Sequence, residues 1–310
     1  MERHFLAACV TSAALLAGTM LAANTYVDPY ARWAPPGKEG MIVDANGFDR
    51  TPAYTLNRRL FKVISFERWM AENEDGPPSI LIGDSTANQI RARELTALTK
   101  KPWFSLAYGG ATLAESIDLV DYVINRYDVK EIAWALPFNR FISGAPNEMP
   151  RTIEMADAPV RHMMTVETLQ ASYLVLRQNW FGVGFDDPKL DTGGEDVVTY
   201  QLSRAQAEIA GRPWPADLVK RLDATIRRAE RRGIDVVIFA PPVHPRTQAM
   251  YEAEFPGRLL RYLDLLGDHN AIDFNDPEHC ADWPAELFVD PYHLGEQFKP
   301  TLARELATSM

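Results

Sequence analysis

Short apolar runs alternate with segments whose apolar residues recur every three to four positions, from residue 79 to the C-terminus. The runs at 79–82, 103–106, 131–136, 235–240 and 271–274 predict β-strands. The helical spacing predicts a helix from just after Ser85 through Leu95 and another over about 113–125. A third, over 216–232, carries Leu218, Leu222 and Ile226 on one side; a fourth lies near 252–266, and the last is C-terminal. Strands alternating with helices imply an α/β domain whose central, mostly parallel sheet is covered on both faces. In such sheets sites form beyond the carboxyl ends of the strands. No internal repeat interrupts the pattern.

Ahead of this domain, residues 5–23 run for 19 positions without a charge, rich in Ala and Leu, behind Arg3 and His4. That length suffices to cross a bilayer as a helix. Residues 1–24 therefore predict an uncleaved signal anchor, with a cleaved signal peptide and release to the periplasm as the alternative. Cleavage after Ala22 or Ala23 would put Met20 or Leu21 where a small residue is wanted. The remainder of the chain is expected on the periplasmic side of an inner membrane, with Tyr26 and Tyr30 at the lipid–water interface. Leu6-Ala7-Ala8-Cys9 spells a lipidation tetrapeptide, too close to the start to follow a signal core.

Residues 25–76 are first rich in Pro, Gly and charge. They then become helix-like from 56 to 73, with Leu60, Val63, Ile64 and Trp69 as an apolar stripe; they predict a stalk and an N-terminal arm. Gly76-Pro77-Pro78 marks the boundary of a large domain over 77–310. A long insertion, about 143–199, interrupts its alternation with Met149, Met155, Met163, Met164 and several aromatics. Such a connection is either a functional lid or a set of core-packing helices.

At 310 residues, 46% apolar and 24% charged, the chain can bury a full core, and a net charge of −10 argues against a nucleic-acid partner. Arg227-Arg228 and Arg231-Arg232 alternate with acids and predict a solvated helix face. Two cysteines, Cys9 in the apolar segment and Cys280 beyond it, leave the domain without an internal disulfide.

The candidate chemistry sits at the two ends of the domain. Gly83-Asp84-Ser85 follows the first predicted strand, where Gly83 permits a tight strand-to-helix turn that exposes a nucleophilic hydroxyl. Asp290-Pro291-Tyr292-His293 lies near the C-terminus, with the acid and the imidazole about one helical turn apart, so both can share a face. Serine is a weak nucleophile without a base. His293 can take the Ser85 proton while Asp290 fixes its tautomer, the logic of a Ser-His-Asp triad.

In these residues the chain resembles the SGNH (GDSL-type) hydrolase family. Gly83-Asp84-Ser85 matches the first block of that family, and Asp290-x-x-His293 with Leu294 the last. Leu106-Ala107-Tyr108-Gly109-Gly110-Ala111-Thr112 looks like the second, whose glycine N–H helps bind an oxyanion; the Gly-Ala-Thr ending puts that role on Gly110. The third block normally presents Gly-x-Asn-Asp; here Ala135-Leu136-Pro137-Phe138-Asn139-Arg140 supplies Asn139 but lacks the Gly and has Arg140 in place of the Asp. The resemblance covers roughly 77–310. It implies a three-layer α/β/α sandwich of flavodoxin-like order, catalysis by Ser85, Asp290 and His293, and an oxyanion hole of Ser85, Gly110 and Asn139. Together with the N-terminal anchor, it looks like the membrane-anchored branch of the family that modifies exported polysaccharides, including relatives of alginate O-acetylation proteins. The implied activity is an O-acetyltransferase or O-acetylesterase on a polysaccharide or other glycan, with no cofactor. The alternative is a non-catalytic protein that binds polysaccharide or partners a membrane-bound acyltransferase.

Three other features carry candidate chemistry. His244 and Arg246 follow the 235–240 run and can line a substrate site, or His244 can simply bond backbone. Asp84 can contact substrate or order the turn it occupies. His279-Cys280 is half of a metal-site pattern without a second ligand pair, so no metal is expected.

Overall fold

Five strands, all parallel, form one sheet in the computed structural model, which describes residues 2–30, 32–33, 55–73, 76–181, 195–276 and 283–310. They are β1 (Ser79–Ile82), β2 (Trp103–Ser105), β3 (Glu131–Ala135), β4 (Asp235–Ala240) and β5 (Ile272–Asp273), in the order β2-β1-β3-β4-β5. The helices are α1 (Glu2–Val27), α2 (Arg58–Glu72), α3 (Ala92–Thr99), α4 (Leu113–Arg126), α5 (Met149–Asp157), α6 (Pro159–Met163), α7 (Val166–Phe181), α8 (Glu195–Ala210), α9 (Ala216–Arg231), α10 (Pro245–Glu254), α11 (Pro256–Asp268) and α12 (Lys299–Ser309). Much of the expected stalk, the middle of the insertion and His279-Cys280 fall outside the described residues. The chain divides into two compact units, residues 1–73 with 150–188 and residues 74–149 with 189–310.

In the second unit every residue of β1 and β3 is buried, as expected of central parallel strands covered on both faces. Ser79 pairs with Glu131 and Ile82 with Trp134, so β1 and β3 end level with each other. The chain leaves β1 toward β2 on one side and returns through β3 on the other. The loops after β1 and β3 therefore flank the point where the strand order reverses, the usual position of a ligand crevice in an open α/β sheet.

Several elements differ from the sequence pattern for local reasons. After Ser85 the chain makes a 3₁₀ turn over Ala87–Gln89 before α3 begins at Ala92. The helix expected near 252–266 is two helices, because Pro256 has no N–H to continue the first and instead opens the second. Arg228 is not simply solvated. It pairs with Asp121 of α4, as Arg221 does with Asp118, and Thr225 Oγ1 donates to Asp121 at 3.0 Å.

In the first unit, α1 is exposed over residues 4–16 and meets other helices only toward its end. Asn24 is fully buried. Its Nδ2 donates to the Met163 carbonyl at 2.7 Å and its Oδ1 accepts from Ser172 Oγ at 2.8 Å. Asp28 then turns the chain, its carboxylate accepting from the N–H groups of Arg32 and Trp33, both at 2.8 Å. Tyr30 packs edge-on against His162, ring centroids 4.6 Å apart.

His162 is fully buried, and neither of its ring nitrogens has a partner among the described residues. Burial, assisted by the nearby Arg32 charge, lowers its pKa from 6.5 to about 4. The unfolded chain thus binds a proton below pH 6.5 that the folded chain refuses until about pH 4, so stability is intact above 6.5 and falls as pH drops through this window. The full loss is about 3 kcal/mol. His162→Phe, which keeps the ring and cannot titrate, is expected to flatten the fall in apparent Tm of the detergent-solubilised protein between pH 7 and pH 4.5. An equal fall in both proteins would refute this role.

Candidate active site

Four loops at the carboxyl edge of the sheet carry residues that the sequence singled out, and a further segment from the C-terminal region is hydrogen-bonded to the first of them. Gly83 leaves β1 with φ +154°, and a side chain there would collide with Ala87 Cβ at 2.7 Å and Ala135 Cβ at 2.8 Å. Only glycine lets β1 and β3 stay this close while the chain turns into Asp84 and Ser85. Ser85 is half-buried, and neither its N–H nor its hydroxyl has a hydrogen-bond partner among the described residues.

Asp84 is buried beneath this turn. Its Oδ1 accepts from Thr86 N–H at 2.9 Å and Thr86 Oγ1 at 2.6 Å, while Oδ2 accepts from Arg140 Nε at 2.6 Å. Burial pushes its pKa up, but the Arg140 charge and the Thr86 hydrogen bonds outweigh that and hold it below the usual carboxylate range. Asp84 is therefore an ionised strut between the β1 and β3 loops. Arg140, which the sequence marked only as a departure from a family pattern, is the other half of the strut.

The β2 loop runs through Tyr108 to Thr112 and feeds directly into α4. Thr112 Oγ1 accepts from Glu115 N–H and Glu115 Oε2 accepts from Thr112 N–H, both at 3.2 Å, which is a capping box. Glu115 is fully buried and also takes the Tyr108 hydroxyl at 3.2 Å and Glu148 N–H at 3.1 Å. This one carboxylate fixes both ends of the loop that contains Gly110. Gly110 adopts φ +82°, and its N–H has no acceptor among the described residues.

Asn139 lies in the 3₁₀ turn Phe138–Arg140 after β3. Its Oδ1 is buried without a hydrogen-bond partner, as is the hydroxyl of Tyr292, one residue before His293. The two side chains are neighbours. Burial raises the Tyr292 pKa, opposed by Tyr251, the Arg140 charge and the Asn139 amide. Unpaired buried polar atoms carry a free-energy cost, and here two of them lie on neighbouring side chains.

Asp290 and His293 do meet, though through a turn rather than along a helix face. Asp290 Oδ1 accepts from the N–H groups of Tyr292 at 2.8 Å and His293 at 2.9 Å, curling the chain back on itself. This brings His293 Nδ1 within 2.7 Å of Oδ2 and 2.9 Å of Oδ1. Burial raises the Asp290 pKa, but its hydrogen bond to His293, that ring's charge and the two N–H donors more than reverse the effect. An ionised carboxylate at Nδ1 keeps the proton there and leaves Nε2 as the basic nitrogen.

Sequence reasoning missed the residue that holds this turn in place. Gln89, four positions after Ser85, accepts from Leu294 N–H through Oε1 at 2.6 Å and donates through Nε2 to the Tyr292 carbonyl at 3.2 Å. The two bonds straddle His293. No hydrogen bond joins Ser85 to His293 among the described residues; the buried Gln89 amide, and outside it the Arg91–Glu296 ion pair at 3.1 Å, connect their segments. Gln89→Met keeps the volume and removes both bonds. It is expected to lower kcat for ester turnover roughly 10- to 100-fold through misplacement of the imidazole, with little change in KM. An unchanged kcat would show that the turn holds itself.

His244 sits beside this turn, its N–H donating to the Pro291 carbonyl at 3.1 Å, while its Nδ1 accepts from Arg246 N–H at 3.1 Å and caps α10. Arg246 reaches Thr199 Oγ1 at 3.2 Å. Comparison of the chain with protein-family models and with curated proteins found no match.

Proposed function

We propose that this chain is a serine-dependent acyl-transfer enzyme of the cell envelope, an O-acetyltransferase or O-acetylesterase acting on an exported polysaccharide or glycan. The reading takes the second unit as a three-layer α/β/α sandwich of the SGNH type. It takes α1 as a single-pass inner-membrane anchor, with the enzyme on the periplasmic side. Support for the anchor is the apolar stretch His4–Val27, 24 residues whose most apolar 18-residue window has a mean hydropathy of 1.9.

The observation that carries the reading is the Asp290–His293 pair, held by Gln89 against the turn that bears Ser85. In the proposed reaction, Ser85 Oγ attacks the acyl carbonyl and His293 Nε2 takes its proton. The imidazolium is stabilised by Asp290. The tetrahedral oxyanion accepts hydrogen bonds from Ser85 N–H, Gly110 N–H and the Asn139 amide. Collapse breaks the ester bond, and His293 returns its proton to the departing oxygen, leaving an acyl-Ser85. A sugar hydroxyl or a water, deprotonated in turn by His293, then takes the acyl group and restores the serine.

A non-catalytic glycan-binding or acyltransferase-partner reading draws on the missing Ser85–His293 hydrogen bond. Catalytic hydrogen bonds commonly tighten only once substrate is present, which keeps the enzyme reading ahead. The test is to mix full-length protein with p-nitrophenyl acetate. A burst of nitrophenolate stoichiometric with enzyme, and one acetyl group on Ser85 by peptide mass spectrometry, are expected. Neither burst nor adduct would leave the binding reading in its place.

A further inference from the structure

Helix α7 is built inside out. Toward the interior of its unit it presents Thr168, Ala171 and Ser172, all buried, two of them polar. Toward the outside it presents Val166, Leu169, Tyr173 and Trp180, which are 75%, 37%, 61% and 70% exposed, and Phe181 at 72%. The spacing of three, four and seven places the first four on one stripe. A helix on the surface of a water-soluble domain shows the reverse distribution. Val160 in α6 and Met164 just after it are exposed as well. The exposed Gln170, and Arg177, which shares the spacing of the stripe, interrupt it, but this many large exposed apolar side chains on one side mark a place where something other than water is met.

The neighbour of α7 identifies what is met. The helix packs against α1, and the contact is tied by the buried Asn24 amide, shared between Ser172 Oγ and the Met163 carbonyl. Small and polar residues between helices with apolar outsides are the pattern of packing in lipid, where hydrophobicity gives no reason for helices to associate. Depth follows from length. The His4–Val27 stretch is about 36 Å long as a helix against a hydrocarbon core of about 30 Å, so Asn24 near its end lies close to the headgroup level. Ser172 is bonded there, which sets Tyr173 at the depth where Tyr and Trp side chains accumulate. Sixteen residues that include Glu167 and Arg177 are too short and too polar to cross the bilayer.

We infer that the outer face of α6 and α7 rests in the lipid headgroup–acyl boundary, so that the chain meets the membrane through a spanning helix and, beside it, an interfacial one. The inference rests on the reading of α1 as the anchor.

Single-cysteine forms of the full-length chain, with Cys9 and Cys280 replaced by Ser, separate the two claims. Nitroxide labels are placed through Leu169→Cys, Tyr173→Cys, Leu16→Cys in α1, and Leu260→Cys on the exposed side of α11. Each protein is reconstituted into phosphatidylcholine–phosphatidylglycerol nanodiscs. The ratio of oxygen to nickel-chelate collision rates is then measured by electron paramagnetic resonance. Ratios at 169 and 173 several-fold above that at 260, approaching that at 16, are the expected result. Ratios at 169 and 173 equal to that at 260, with 16 still lipid-embedded, overturn the interfacial helix and leave the anchor standing. A water-like ratio at 16 overturns both. Shielding of 169 and 173 from both reagents, with dipolar broadening between labels, would mean that a second copy covers this face, and overturns the lipid assignment.

Discussion

Ser85→Ala is expected to lower kcat for acetyl-ester turnover by about 10⁴-fold or more while leaving the protein folded. The two halves of this expectation have separate grounds. The Ser85 hydroxyl is half-buried and makes no hydrogen bond among the described residues, so its loss removes little packing and no bond. The turn that carries it is held by Gly83 and by the Asp84 contacts to Thr86 and Arg140, none of which the substitution touches. On the chemical side, the acyl-enzyme cannot form without Oγ. His293→Ala should be nearly as damaging. Asp290→Asn should be less so, because an amide oxygen can still accept the Tyr292 and His293 N–H groups that shape the turn. The check is steady-state turnover of p-nitrophenyl acetate, with circular dichroism and apparent Tm on the same preparations. If a folded Ser85→Ala protein keeps most of its activity, the serine is not the nucleophile and the proposed mechanism falls.

What could be read in the sequence and what could not divides along the range of the interaction. Strands β1 and β4 fall on the residues that their apolar runs predict, because a parallel strand buried along its whole length, as β1 is, or over its second half, as β4 is, is apolar on both faces there and needs no partner to be recognised. The start of α4 at Leu113 is likewise local, since Thr112 and Glu115 cap it within one turn. The join between α10 and α11 is local too, since Pro256 ends one helix and opens the next. The conformation of the Asp290–His293 segment is a different matter: a spacing of three suits a helix and a tight turn equally, and the choice is made by Asp290 accepting two backbone N–H groups.

The supports of the site were not legible because their partners are far away in the chain. Gln89 bonds a residue 205 positions on, and Arg140 reaches Asp84 across 56. Nothing in the neighbourhood of a glutamine announces such a bond. Glu115 reads as a helix cap, and its further grip on Tyr108 and on Glu148 N–H appears only when the β2 loop and the segment after β3 lie side by side. Nor does any local signal foretell that residues 150–188 group with the N-terminal segment. In each case the residue type was visible and its use was not, because that use depends on register and packing.

Asn139 is where the chain departs furthest from the pattern it resembles, and its substitution divides catalysis from structure most sharply. As an oxyanion donor, Asn139 would form its bond mainly in the transition state, so Asn139→Ala should cut kcat by roughly 10²- to 10³-fold with KM nearly unchanged. A structural role predicts something else. The Asn139 Oδ1 is buried with no hydrogen-bond partner, so removing it relieves a desolvation cost; stability should hold or rise slightly. Loss of kcat together with an unchanged or higher apparent Tm is thus the signature of a donor kept for catalysis at the expense of stability. The adjacent Tyr292 phenol provides the control. Tyr292→Phe removes the phenol oxygen, the other buried polar atom of the pair without a hydrogen-bond partner, and keeps the ring, so it should leave Tm unchanged or higher and spare most of kcat. If Asn139→Ala loses stability and activity in proportion, the side chain holds its turn rather than an oxyanion. The hole would then consist of the Ser85 and Gly110 N–H groups alone.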